Sequence, residues 1–160
     1  MSVQITTNNH VLYGSLLVGE DLMDGILRIC KNNQIHSGMV TCIGSLDKTG
    51  FTVFKVNQHN RPDGYAPATT IEEPVELIQA TGFICKDEQG DLDMHLHGIV
   101  ERMDGRIQAG HFLRGYNKVC ITVEFTVISS PEVTAIRAYD ERLTYKTIRF
   151  DAAPLERRIK

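Results

Sequence analysis

At 160 residues, with 42% hydrophobic and 23% charged side chains, the chain fits one domain that buries roughly 70% of its unfolded surface and needs no staples. A formal net charge of -3, with no basic stripe beyond the short tail Arg157, Arg158 and Lys160, argues against a chain whose main task is to coat phosphate backbones. No apolar run is long enough to span a bilayer and no charged-then-apolar leader opens the chain, so a soluble cytoplasmic protein without membrane partners is expected.

Residues 11–17 alternate loosely and predict a first strand. Gly19-Glu20-Asp21 then opens a helix. Leu22, Ile26 and Ile29 recur at helical spacing, Met23, Leu27 and Cys30 widen the stripe, and the pattern stops near Asn32-Asn33. Glu20 and Asp21 complement the helix dipole at its start, as Arg28 and Lys31 do at its end. From Gly38 onward strand signals dominate, over residues 39–43, 51–56, 75–85, 92–102, 106–113, 119–128 and 143–150. Asp47-Lys48-Thr49-Gly50, Asp87-Glu88-Gln89-Gly90 and Met103-Asp104-Gly105 carry turn chemistry, which predicts antiparallel hairpins. Residues 59–74, rich in Pro, Gly and Asp, read as a mobile loop of the kind that covers sites. The expected fold class is therefore α+β, a mainly antiparallel sheet packed on one principal helix. Its single domain spans residues 1–150, with a short polar tail over 151–160. Cys30, Cys42, Cys85 and Cys120 lie far apart in apolar segments and are expected to be reduced, buried thiols.

Three of the six histidines fall between positions 95 and 111. In a strand His95 and His97 project from the same face, close enough to share an ion. The alternative is a hydrogen-bonded histidine pair on a half-buried strand, which H-x-H also fits. The third histidine depends on the turn. A three-residue loop Met103-Asp104-Gly105 sets His111 opposite His97 on the same face, whereas a two-residue Asp104-Gly105 turn pairs it with Gly98 and sends it to the other face. Three histidines around zinc would leave a fourth position for water or a small ligand.

The strand over residues 120–128 is apolar on both faces, and one helix cannot cover both faces of a six- or seven-stranded sheet. A homo-oligomer is expected to cover the remainder.

Gly19-Glu20-Asp21-Leu22, Ile43-Gly44-Ser45-Leu46, Val75-Glu76-Leu77-Ile78-Gln79-Ala80-Thr81-Gly82, His95-Leu96-His97, Asp104-Gly105, Gly110-His111 and Val123-Glu124 occur in that order along nearly the whole chain. In this the sequence resembles the PPC domain, the "plants and prokaryotes conserved" domain, as a stand-alone prokaryotic member. The resemblance implies an antiparallel sheet on one main helix, assembly as a trimer, and a metal site at His95, His97 and His111. Ala109 stands where a second glycine is frequent. Plant members carry Arg-Gly-Arg AT-hooks ahead of the domain, and the family's DNA-binding label largely stems from them. This sequence has none, so DNA contact is expected to be weak or indirect.

Two functions follow as expectations. One is a trimeric regulatory or binding module whose histidines hold a metal or a small ligand. The other is a zinc-dependent enzyme acting on a small molecule, with Glu76 or Glu124 as base, because each is a lone carboxylate in an otherwise apolar strand. For both glutamates a hydrogen-bonded or interface-paired carboxylate is the preferred alternative.

Overall fold

The structure is a computed structural model that describes residues 3–153; the basic tail containing Arg157, Arg158 and Lys160 lies outside the described residues. The first strand, β1 (His10–Leu17), leads into α1 (Leu22–Asn32). Asp21 caps that helix: its Oδ1 accepts from the Met23 and Asp24 amides at 3.0 and 3.1 Å, satisfying donors that a helix start leaves orphaned. Its Oδ2 accepts from the Asn117 amide at 3.1 Å, so the cap also ties the helix to the sheet. Leu22, Met23, Ile26, Leu27 and Cys30 are buried, and Gly25 lets the helix approach Leu16 so closely that a Cβ there would stand 2.8 Å from the leucine methyl. Each such leucine or isoleucine contributes about 1.5–3 kcal/mol on burial.

The remaining elements are strands: β2 (Gly38–Thr52), β3 (Phe54–Val56), β4 (Pro62–Tyr65), β5 (Thr69–Ile71), β6 (Val75–Lys86), β7 (Leu92–Arg102), β8 (Ile107–Phe112), β9 (Lys118–Ser129), β10 (Val133–Asp140) and β11 (Tyr145–Ala152). β2 is flanked by β9 and β6 along its first half and reaches β8 at its end, so β2, β6, β7 and β8 close on themselves around part of the core. β1 extends the sheet beyond β9, and the β10–β11 hairpin extends it beyond β6 through a parallel bridge from Ile136 to Lys86. Apart from that bridge the pairing is antiparallel, as expected.

Three sequence expectations are corrected. Asp47-Lys48-Thr49-Gly50 is not a turn but the interior of β2, bulged after Gly44 and after Leu46. Its irregular ladder is satisfied by buried Asn117, whose Oδ1 accepts from Thr49 Oγ1 at 2.7 Å and from the Gly50 amide at 3.3 Å. The strand expected over 51–56 breaks at Val53, and the expected loop over 59–74 holds β4 and β5, with β3 and β4 forming a hairpin of their own. β10 was not expected. The four cysteines are free thiols, three buried and Cys120 partly so. Among the described residues no helix is long and apolar enough to cross a membrane.

Candidate metal centre

Met94, Leu96, Gly98 and Val100 of β7 face the core, so strand alternation turns Asp93, His95, His97 and Ile99 to the opposite face. The turn into β8 has the three-residue form. The Gly105 amide donates to Arg102 O at 2.8 Å, the Arg102 amide donates to Arg106 O at 2.9 Å, and Gly105 takes the left-handed conformation at φ 80°. His97 consequently stands directly opposite His111. Glycine makes the packing beneath them feasible: a Cβ on Gly98 would lie 2.2 Å from the Phe112 ring, which fills the core behind the hairpin.

The three imidazoles converge. His95 Nε2 and His97 Nε2 are 3.0 Å apart, His97 Nε2 and His111 Nδ1 are 3.4 Å apart, and all three nitrogens lie within 4.8 Å of one another. Tetrahedral coordination at 2.0–2.1 Å requires neighbouring donor nitrogens roughly 3.3 Å apart, so the donor set and its spacing fit a divalent ion with little rearrangement. Burial, Arg137 and His97 push His95 down to about 4; burial, then His95, Arg137 and His97 do the same for His111. His97 is lowered by burial and by Arg137. All three are thus held in the neutral form that ligates metal.

Two further side chains border the cluster. Arg137, from β10, donates from Nη1 to Asp93 Oδ2 at 3.1 Å, two residues before His95 on the same face. Tyr65, from β4, lies with its ring centroid 5.7 Å from that of His111 and 5.1 Å from that of Tyr145. The β3–β4 hairpin is held there by Thr52 Oγ1, which donates to Ala66 O at 2.7 Å, and by the Tyr145 hydroxyl, which donates to Gly64 O. Neither residue was a candidate from sequence; for Tyr65 the signal was the long segment expected to cover a site.

The two glutamates do not join the cluster. Glu76 is exposed opposite Ser45 and Glu101, and Glu124 is exposed opposite Ser15 and Ile43, where its Oε1 accepts from Thr122 Oγ1 at 3.0 Å. Among the described residues the histidine, cysteine and carboxylate groups that gather closely enough to hold an ion are His95, His97 and His111.

Residues 4–131 match the Plants and Prokaryotes Conserved (PCC) domain. No curated protein matches the chain. Among solved structures, a metal-containing protein from Archaeoglobus fulgidus superposes with a TM-score of 0.78 at 20% identity, covering 92% of this chain and 98% of that one. A plant- and prokaryote-conserved protein from Pyrococcus horikoshii gives 0.71 at 18% identity, covering 90% and 97%. A protein from Ralstonia eutropha JMP134 bearing the name "putative DNA-binding protein" gives 0.71 at 22% identity, covering 85% and 88%. At these identities the likeness establishes a shared fold.

Proposed function

Because the chain belongs to the Plants and Prokaryotes Conserved domain family, we propose that it is a self-associating regulatory or binding module whose His95, His97 and His111 hold zinc and, through it, a small ligand. The observation that carries this reading is the convergence of three imidazole nitrogens at 3.0 and 3.4 Å on one face of the β7–β8 hairpin. Three imidazoles with tetrahedral spacing suit zinc, and three protein ligands leave one position for exchange, the arrangement of sites that work rather than merely brace. The metal in the name of the Archaeoglobus protein of the same fold supports the reading. When bound, zinc would polarise a ligand oxygen or acidify a bound water. The chain's own contribution is to keep the imidazoles neutral, to fix their register through the Met103–Gly105 turn, and to border the site with Tyr65 and Arg137.

A binding role takes precedence over the zinc-enzyme reading because Glu76 and Glu124, the candidate bases, stand exposed outside the cluster. The DNA-binding name of the Ralstonia protein fits a module that reaches DNA through a partner, given a net charge of -3 over these 160 residues.

Metal analysis of tag-free protein tests the reading. About one zinc per chain is expected, and His95→Ala or His97→Ala should each weaken binding more than about 100-fold, since even outer contacts to a metal ligand are worth 10–100-fold. Stoichiometric zinc retained by both variants would overturn it.

A further inference from the structure

We propose that Arg137 is the anion-recognising residue of this centre and that its ligand is a small organic carboxylate; the inference rests on the metal reading of the three histidines. Arg137 belongs to β10, beyond residues 4–131 that match the family model. Its side chain is 11% exposed, and only part of its donor fork is engaged. Nη1 donates to Asp93 Oδ2, while Nε is buried and has no hydrogen-bond partner among the described residues. The Asp93 contact holds the guanidinium on the face that carries His95, and a fork with one arm engaged keeps donors for an oxyanion at the metal.

Charge and shape narrow the ligand. Arg137 and Asp93 offset each other and an imidazole that ligates a metal carries no charge, so a bound divalent ion would leave a local excess of positive charge. One guanidinium with one ion suits a carboxylate better than a multiply charged phosphate, whose sites gather several cations or backbone amides. The rim is aromatic. Tyr65 leans on His111, and Phe83, directly across from His95, packs against Phe150 at a centroid distance of 5.2 Å, so the surroundings accept carbon as well as oxygen.

The test uses the full chain loaded with cobalt(II), whose visible spectrum reports its ligands, titrated with acetate, with inorganic phosphate and with neutral imidazole at constant ionic strength. In the wild type acetate should change the spectrum at lower concentration than phosphate. Arg137→Gln should weaken acetate by about tenfold or more, the effect of losing one charge-assisted contact, while leaving cobalt content and imidazole affinity within about twofold. Asp93→Asn frees the guanidinium from its competing carboxylate and should tighten acetate more than azide, a monoanion without a two-oxygen fork that the lost charge alone would favour equally; it also decides the matter if Arg137→Gln fails to fold. Failure of the wild type to bind cobalt or zinc would overturn the metal reading and this inference together. Cobalt bound normally with acetate affinity unchanged in both variants would overturn this inference alone, and phosphate outcompeting acetate would overturn the carboxylate assignment.

Discussion

At the scale of single residues, the histidine cluster couples proton uptake to folding. In the unfolded chain an imidazole titrates at 6.5; in the fold His95 and His111 are held down to about 4. The unfolded state therefore binds protons first as pH falls, and the stabilisation these residues give the metal-free protein is complete above 6.5 and lost progressively from 6.5 towards 4. Urea denaturation of metal-free protein should show a lower midpoint at pH 5 than at pH 7.5, and His111→Gln should flatten that difference. The histidines were legible in the sequence because two-residue spacing on a strand fixes a shared face regardless of what surrounds it. The burial that made Glu76 and Glu124 candidate bases was not legible, for a related reason. A lone carboxylate in an apolar strand implies burial only if both strand faces are covered within the chain, and here each glutamate stands on the uncovered one. Arg137 carried no such signal, since its meaning comes from Asp93, which is distant in sequence and adjacent only in the sheet.

At the scale of elements, the site depends on how closely β6 and β7 approach. A Cβ on Gly82 would stand 1.9 Å from His95 O and 2.8 Å from Leu96 Cα, both backbone atoms, so the strands must part at His95 to admit it. Gly82→Ala should cost about 1–3 kcal/mol in urea unfolding and weaken zinc in the same protein. Gly105→Ala provides the contrast: a Cβ there meets nothing within 4 Å, and only the left-handed conformation is strained, so about 1 kcal/mol is expected with the site intact. The β7–β8 hairpin and the helix could be read from sequence because turn, cap and periodicity agree locally. The Asp47–Gly50 segment could not, because its turn-forming residues are overruled by a distant asparagine that completes the ladder. β10 escaped because its side chains alternate too weakly to announce a strand, and it is placed by tertiary bonds such as the Ala135 amide donating to Ser37 Oγ at 2.8 Å.

At the scale of the whole molecule, the sheet face opposite the helix carries exposed Val11, Tyr13, Met39, Ile43, Ile99 and Ile128 on adjoining strands. An apolar surface of that continuity supports the expected trimer assembled through sheet faces. Sedimentation equilibrium at micromolar concentration should give three times the 18.0 kDa chain mass, and Ile43→Asp should shift it towards the single chain; a wild-type monomer would refute the assembly. The same scale sets the order in which the site can form. All three metal donors lie on one hairpin between His95 and His111, so an ion bridges strands that are already neighbours and closes only a short loop. The conformational freedom it removes from the unfolded chain is correspondingly small. Tyr65 and Arg137, by contrast, come from segments on either side of that hairpin in the sequence, and they meet it only when the rest of the sheet has closed. A metal grip is thus within reach of an early, local folding event, whereas the capacity to choose among ligands exists only in the finished molecule.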